Sequence, residues 1–180
     1  MHKKRLIGLL LLILLTIAFS LNGNGHNRKK GKGDANFTIN EMYSEECGQC
    51  HLAYPPFLLP GRSWQKILSP EGRKNHFGEE LEFSDQEIKE ISNYLLLHSA
   101  NRSKARLAYK IRRKIRKSDT PTRITETRYI SHEHDDIPQK LIKQNEEVES
   151  LSNCSACHKD AEKGLFDEDT VAIPGYGKWD

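Results

Sequence analysis

Hydrophobic residues divide this 180-residue chain into parts with different patterns. Residues 6–19 are almost entirely apolar, whereas residues 21–36 consist mostly of Gly, Asn and Lys and show no periodicity. From Phe37 onward, apolar positions recur among many charged ones, in short runs interrupted by proline. We therefore expect a flexible leader over residues 21–36 and ordered structure from about Phe37 onward.

The clearest predicted helix lies in the segment SDQEIKEISNYLLLHSA. Ile88, Ile91 and Leu95 share one face at helical spacing. Ser84 or Asp85 can cap the start, and acidic residues fill the first turn, where they interact favourably with the helix dipole. This pattern predicts an amphipathic helix.

A strongly basic helix is predicted over residues 102–120. Nine Lys and Arg residues lie between Arg102 and Lys117, and Pro121 ends the segment. Two interpretations stay open: a linker helix whose charged side is solvated, or a docking surface for a negatively charged partner. The apolar positions at helical spacing are Leu107, Ala108, Ile111 and Ile115.

The remaining segments are predicted from their prolines and from their place in the chain. NEMYSEECGQCH and NEEVESLSNCSACH are expected to be helical. The prolines of AYPPFLLPGRSW favour an extended loop, SPEGRKNHFGEELEF is expected to be another loop, and TRITETRYISHEHDDIP an extended segment. Together with a loop-rich carboxyl end, these segments indicate a mainly α, loop-rich fold.

The start of the chain is typical of a secretory signal peptide over residues 1–20. Three basic residues precede the apolar run, and Ala18 and Ser20 are small residues suited to cleavage after Ser20. An uncleaved membrane anchor is the less favoured alternative, because the run is short for a membrane span. We therefore expect export out of the cytoplasm.

Charge and composition change once the signal peptide is removed. The whole chain has a formal charge of +3, but loss of three basic residues leaves 25 basic against 25 acidic ones. Nucleic acid is not an expected partner of such an exported chain. Only 36% of the residues are hydrophobic, which is little for an ordinary core, so bound cofactors would have to supply apolar surface.

Candidate chemistry lies in two short motifs. CGQCH spans Cys47 to His51, CSACH spans Cys154 to His158, and together they contain all four cysteines. Cysteine pairs of this spacing occur in covalent haem attachment, in structural zinc sites and in redox disulfides. Haem attachment also explains why a histidine directly follows both pairs, because that histidine binds the iron.

We therefore predict two covalently attached haem c groups. The thiols of each motif would bond the vinyl groups of one porphyrin, and the adjacent histidine would be the proximal iron ligand. A zinc-binding interaction module is the main alternative, and it would be colourless. The predicted cofactor-binding residues are Cys47, Cys50, His51, Cys154, Cys157 and His158.

The sixth ligand of each iron determines what the haems can do. A methionine ligand raises the reduction potential, whereas a second histidine leaves it low. Met42, the methionine that remains after signal removal, precedes Cys47 on the same predicted helix and is poorly placed to reach the opposite haem face. We expect electron transfer at low potential. A peroxidase-like enzyme would need an open iron and a nearby acid–base group, and the sequence indicates neither.

Four histidines of the expected ordered region can supply the sixth ligands. For the first iron, His76 is preferred to His98, because a loop can cross the distal face of the haem. For the second, an extended segment would point His132 and His134 the same way, about 6 to 7 Å apart, with His134 nearer the turn that Pro138 sets. The predicted iron ligands are His51, His76, His134 and His158.

In these motifs the chain resembles the small dihaem cytochromes c of bacteria. The resemblance covers most of residues 41–174. The blocks that carry it are EECGQCHLAYPPFLLPGRSW, HFGE, RITETRYISHEHDDIP, NCSACH and FDEDTVAIP.

This resemblance implies a periplasmic electron carrier with each haem between two histidines, and it matches the second ligand to His134. It implies a first lobe similar to a class I cytochrome c, over residues 37–101, and a less regular second lobe over residues 121–180. The basic helix over residues 102–120 would join the two lobes. Implied partners are a membrane cytochrome b and a small oxygen-binding haem protein, and a monomer is expected.

Overall fold

The computed structural model describes residues 38–179, which lie within one compact unit of the chain. The predicted signal peptide over residues 1–20 and the leader over residues 21–36 lie outside the described residues. Among residues 38–179, no helix has both the length and the apolar character needed to cross a bilayer. The mainly α, loop-rich fold is confirmed.

Short helices and turns make up the described part of the chain. The helices are α1 (Glu41–Cys47), α2 (Gly61–Ile67), α3 (Pro70–Lys74), α4 (Asp85–His98), α5 (Arg106–Lys114), α6 (Arg128–Glu133), α7 (Lys140–Lys143) and α8 (Cys154–Cys157). Turns of 3₁₀ helix cover Pro56–Leu58, Ile124–Glu126, Ala161–Lys163 and Glu168–Thr170. The strands β1 (Ala172–Ile173) and β2 (Gly177–Lys178) pair antiparallel, with Ala172 opposite Lys178 and Ile173 opposite Gly177.

Helix α4 forms where its sequence pattern predicts. The Ser84 hydroxyl accepts a hydrogen bond from the Glu87 amide, and the Glu87 carboxylate accepts one from the Ser84 amide at 2.7 Å. Such a capping box satisfies two amide groups that the helix itself leaves unpaired, and losing the cap residue typically costs about 1 kcal/mol. Ile91 and Leu95 are buried in the core, where α4 packs against α1 and α2.

The larger hydrophobic core includes the basic helix α5. Ala108 and Ile111 on its inner face are completely buried. This core continues past the helix to Ile124 and Tyr129. A smaller core lies farther along the chain and consists of Ile142, Val148 and Ile173. The helix thus packs into the larger core, and the proposed lobe boundaries stay a prediction.

The sequence predicts an extended loop for the proline-rich segment AYPPFLLPGRSW, and that prediction is wrong. The segment is tightly wound. Pro56 begins a 3₁₀ turn, and α2 starts directly after Pro60. Proline is tolerated in the first turn of a helix, because its missing N–H would have no helical partner there. The Trp64 indole N–H donates a hydrogen bond to the Pro56 carbonyl at 2.8 Å, which fixes the turn against α2.

The segment TRITETRYISHEHDDIP is also not extended, so that prediction is wrong. It contains a 3₁₀ turn over Ile124–Glu126 and the helix α6. The buried Thr127 hydroxyl donates to the Ile124 carbonyl at 2.7 Å and stabilises the junction. No proline lies between Pro121 and Pro138, so helical hydrogen bonds can form throughout this stretch.

Other helix boundaries differ from the predicted ones. Helix α5 is shorter than residues 102–120, because the chain becomes extended at Ile115. Arg62 then donates hydrogen bonds to the carbonyls of Arg116 and Asp119, which hold this stretch against α2. In the second motif, only α8 is helical. The segment SPEGRKNHFGEELEF, expected to be a loop, begins with α3, whose start the Ser69 hydroxyl caps.

Candidate haem sites

The first motif follows α1 and presents His51 on a tight turn. The Nδ1–H group of His51 donates a hydrogen bond to the Leu52 carbonyl at 2.7 Å, since a carbonyl can only accept. The ring stacks on that of Tyr54, with centres 4.8 Å apart and planes at 25°. Both contacts fix the orientation of the imidazole and leave Nε2 for a metal.

His76 faces His51 from the loop between α3 and α4. The two imidazole centres are 6.2 Å apart, and their planes form an angle of 25°. Two backbone hydrogen bonds between His76 and Glu79, at 2.7 and 3.2 Å, close the loop at this point. The neighbouring Phe77 has φ +56°, a rare conformation for a bulky residue that costs about 1–3 kcal/mol.

The second motif repeats the arrangement with His158 and His134. Their ring centres are 6.1 Å apart, and their planes form an angle of 70°. The Nδ1–H group of His134 donates to the Ile130 carbonyl at 2.8 Å, across the last turn of α6. Phe166 packs edge-on against His158 at 5.3 Å. The Nδ1 atom of His158 is buried and makes no hydrogen bond among the described residues.

Both histidine pairs line one continuous cavity. Its wall is mostly apolar and includes side chains of both hydrophobic cores, such as Leu58, Leu107 and Ile142. All eight predicted site residues belong to the lining: Cys47, Cys50, His51, His76, His134, Cys154, Cys157 and His158. The fold thus brings together residues that lie more than a hundred positions apart in the sequence.

The spacing of the rings fits one metal between each pair. Imidazole–metal bonds are about 2 Å long and the ring centre lies about 1 Å beyond the nitrogen, so two rings on opposite sides of one metal have centres about 6 Å apart. The distances of 6.2 Å and 6.1 Å meet this requirement. Haem iron suits the arrangement, because the porphyrin supplies the four other ligands.

Neither alternative for the motifs fits as well. A structural zinc ion needs four converging protein ligands, and no group of three or more His, Cys, Asp or Glu side chains among residues 38–179 could hold a metal ion. The disulfide alternative finds no support either, because no disulfide joins any two of the four cysteines. Burial, with a smaller effect of Glu46, raises the pKa of Cys47 to about 12, and burial raises that of Cys154 to about 11.

Burial also favours the neutral form of one imidazole in each pair, His76 and His158. It lowers the pKa of His158 to about 4, with a further contribution from His134. The pKa of His76 is lowered by burial first, then by His51 and Arg123. A metal binds neutral imidazole, so both shifts favour the protonation state that ligation requires.

The competing candidate ligands lie elsewhere. His132 is exposed and pairs with Asp135 at 3.0 Å. His98 packs against Tyr94 at 4.9 Å at the end of α4. Neither histidine, nor Met42, is among the described residues that line the cavity. His132 and His134 lie at the end of a helix and point in different directions, so the prediction that an extended segment points them the same way is wrong.

Some cavity residues could not be identified from the motifs. Tyr54 stacks on His51, and its hydroxyl donates to the Ser152 carbonyl at 2.7 Å. Arg123 is the sole Lys or Arg among the described lining residues. Both lie in blocks that carry the resemblance, AYPPFLLPGRSW and RITETRYISHEHDDIP, but the sequence gives no signal of their contacts.

Two Cys-x-x-Cys-His motifs that share a cavity, each opposite a second imidazole, define a c-type haem protein with two haem sites. The family model described as Dihaem cytochrome c matches residues 43–166. The chain belongs to the dihaem cytochrome c family, which supports electron transfer as its role, and it carries two covalently attached c-type haems.

Solved structures agree with this family. A dihaem cytochrome c from Shewanella baltica OS155 is 39% identical, with a TM-score of 0.64, over 80% of this chain and 100% of that one. A dihaem cytochrome c from Rhodobacter sphaeroides is 36% identical, with a TM-score of 0.62, over 72% of this chain and 98% of that one. No curated protein matches the chain.

Proposed function

We propose that this protein is a periplasmic electron carrier of low potential, which holds each haem iron between two histidines and transforms no substrate. The observation that carries this proposal is the two pairs of facing imidazoles in the cavity lining, whose ring centres are 6.2 Å and 6.1 Å apart. Cys47 and Cys50 would attach the first haem, with His51 and His76 as axial ligands. Cys154 and Cys157 would attach the second, with His158 and His134.

In electron transfer, the protein's role would be to hold the two haems and to shield them from water. Haem supplies a one-electron change between ferrous and ferric iron when it is bound. With two histidines bound to it, neither iron would have a position left for a substrate. The hydrogen bonds from His51 and His134 to backbone carbonyls keep the rings in place, and the apolar wall excludes water.

Charge and ligand type both favour a low potential. The cavity is lined by five carboxylate side chains, those of Glu46, Glu79, Glu133, Asp136 and Glu168. Arg123 is the one Lys or Arg among the described lining residues, so negative side chains outnumber positive ones there. Ferric haem is one charge more positive than ferrous haem, so surrounding carboxylates stabilise the oxidised state and lower the potential.

The basic segment (residues 102–117) is the proposed docking surface. Tyr109 is exposed there, with the guanidinium groups of Arg112 and Arg113 at 5.0 and 5.4 Å from its ring centre. On the same helix, Lys110 donates a hydrogen bond to the hydroxyl of Tyr129 at 2.9 Å. Tyr129 lines the cavity, so only its side chain would separate a partner that contacts Lys110 from the cavity.

The partner that fits this surface carries a negatively charged face. A membrane cytochrome b and a small oxygen-binding haem protein are the partners that the family resemblance suggests. The signal-peptide pattern supports periplasmic export, where such partners and covalent haem attachment occur together. The carrier would act as a monomer.

Ligand binding and redox titration of the purified holoprotein test this function. We expect both ferric haems to be low-spin and the ferrous protein to bind carbon monoxide poorly at neutral pH. Both midpoint potentials should lie well below those of cytochromes with His and Met ligands. Rapid carbon monoxide binding to the native protein, peroxidase turnover or a high potential at both haems would contradict the proposal.

A further inference from the structure

The loop that carries His76 holds a bulky residue in the left-handed region. Phe77 has φ +56°, and its side chain remains 48% exposed. Such a conformation persists only where the surroundings hold it. The backbone hydrogen bonds of His76 and Phe77 run to Asn75 and Glu79, inside the same loop, so they shape the loop without fixing it to the rest of the protein.

Arg123, from the segment before α6, contacts this loop from another part of the protein. Its guanidinium lies 4.2 Å from the centre of the Phe77 ring, within the range of a cation–π interaction. The Phe77 ring in turn contacts the His76 ring edge-on at 4.8 Å. The contacts therefore continue from Arg123 through Phe77 to the imidazole that faces His51.

The backbone at Arg123 is held in place by the core and not by the loop that carries His76. The next residue, Ile124, is buried in the larger core, and its carbonyl accepts the hydrogen bond from buried Thr127 at 2.7 Å. Glu126 lies 3.6 Å from the Arg123 guanidinium and orients it on the surface side. The exposed guanidinium of Arg123 thus lies over the strained Phe77 ring, near the tip of a loop whose far end is tied to α3 by the hydrogen bond from the Leu81 amide to the Arg73 carbonyl at 2.9 Å.

We propose that Arg123 is a positioning residue for the first haem site, which acts through Phe77 to keep His76 on the iron. The inference rests on the proposed ligation by His76. The contact through which Arg123 would act is the one between its guanidinium and the Phe77 ring. It lowers the population of states in which the loop moves away and the sixth position of the first iron opens.

Carbon monoxide binding to the ferrous holoprotein measures that open population. His76→Ala identifies the signal of a fully open first site. We expect Arg123→Gln and Phe77→Leu each to raise the rate of binding at this site by about two- to fivefold, the size expected for a partly exposed cation–π contact. The ferric protein should gain a small high-spin fraction at the same haem.

Arg128→Gln is the matched control, because it removes the same charge from an exposed position of α6. It should leave both measurements at the native value. An equal response to Arg123→Gln and Arg128→Gln, or a response to Arg123→Gln with none to Phe77→Leu, would overturn the proposal, since Arg123 would then act only through its charge or not at all.

The same series separates this proposal from the proposed function. If His76→Ala opens the site and Arg123→Gln does not, His76 remains the ligand and only the positioning role fails. If His76→Ala leaves the first haem six-coordinate and low-spin, His76 is not the ligand and both proposals fail. Far-ultraviolet circular dichroism and the unchanged spectrum of the second haem report that each variant is folded.

Discussion

The hydroxyl of Tyr54 donates a hydrogen bond to the carbonyl of Ser152 at 2.7 Å, across 98 positions of sequence. The Tyr54 ring also stacks on His51, and Ser152 lies two residues before Cys154. One side chain therefore joins His51 of the first motif to the start of the second motif. This contact links the two haem sites directly through the protein.

Loss of the Tyr54 hydroxyl should loosen the second motif. In Tyr54→Phe the ring can still stack on His51, but the Ser152 carbonyl keeps only the hydrogen bond from the Cys154 amide at 3.0 Å. Loss of the bond from Tyr54 should cost about 0.5–1 kcal/mol. We expect amide hydrogen exchange of peptides covering Cys154–His158 to become about two- to fivefold faster. Hydrogen exchange with mass spectrometry measures this change.

Tyr43→Phe is the matched control for this measurement. The Tyr43 hydroxyl donates to the Tyr54 carbonyl at 2.7 Å, inside the larger core. Its loss should therefore leave exchange around Cys154 unchanged, even where the first motif is destabilised. An unchanged rate at Cys154–His158 in Tyr54→Phe would mean that the hydrogen bond does not hold the second motif in place.

The two haems should differ in their electron paramagnetic resonance signals. The ring planes of His51 and His76 form an angle of 25°, whereas those of His134 and His158 form an angle of 70°. Nearly parallel axial rings lower the symmetry of the field at the iron more than nearly perpendicular rings do. We expect two distinct low-spin ferric signals, the less anisotropic one from the first site.

Ligand variants assign these signals to the sites. His134→Ala should remove the signal of the perpendicular pair and leave that of the parallel pair. His76→Ala should do the reverse. Two identical low-spin signals in the native protein, or loss of the same signal in both variants, would contradict the ring orientations.

The sequence predicted those features whose causes are local. The spacing of the CGQCH and CSACH motifs follows from the chemistry of attachment, so the motifs can be recognised without a fold. Helix α4 was predictable because its apolar face and the Ser84–Glu87 capping box both lie within the segment. The prediction of an extended loop failed because proline is compatible with the start of a helical turn. Pro56 begins a 3₁₀ turn, and Pro60 directly precedes α2.

The contacts that orient the sites could not be predicted in the same way. Phe77 meets Arg123, and Tyr54 meets Ser152, only because the core brings distant segments together. The preference for His134 came partly from an extended strand that does not exist. Its ring faces His158 because α6 ends at this point and the Ile130 carbonyl holds its Nδ1–H group.

Docking through the basic segment should make electron transfer depend on the charge of the oxidant. Residues 102–118 contain nine Lys and Arg and no Asp or Glu, although the chain without residues 1–20 has equal numbers of each sign. Oxidation of the ferrous protein by ferricyanide should therefore be faster than its driving force predicts, and oxidation by hexaammineruthenium(III) slower. The difference should shrink as salt screens the charges.

Exposed positions of the segment offer a direct test. Arg113→Gln combined with Lys114→Gln should slow oxidation by ferricyanide about two- to fivefold at low ionic strength. The control pair, Lys66→Gln with Lys74→Gln, removes the same charge from exposed positions near α2 and α3. Stopped-flow rates that respond equally to both pairs would leave the basic segment as a solvated surface.

Of two histidines that lie only two positions apart, only His134 should bind the second iron. His134 faces His158 with ring centres 6.1 Å apart, whereas the side chain of His132 is 73% exposed and pairs with Asp135. His134→Ala should therefore open the second site. We expect the ferrous variant to bind carbon monoxide rapidly at one haem, and the ferric variant to show one high-spin signal.

His132→Ala is the control for this prediction, because it removes the same side chain from the same turn. Its ferric spectrum should remain low-spin at both haems, and the loss of the exposed contact with Asp135 should change stability by about 0–1 kcal/mol. If the two variants gave the opposite results, the helix end at His134 would not supply the ligand. The segment would then have to turn so that His132 enters the cavity and the hydrogen bond from His134 to the Ile130 carbonyl is lost.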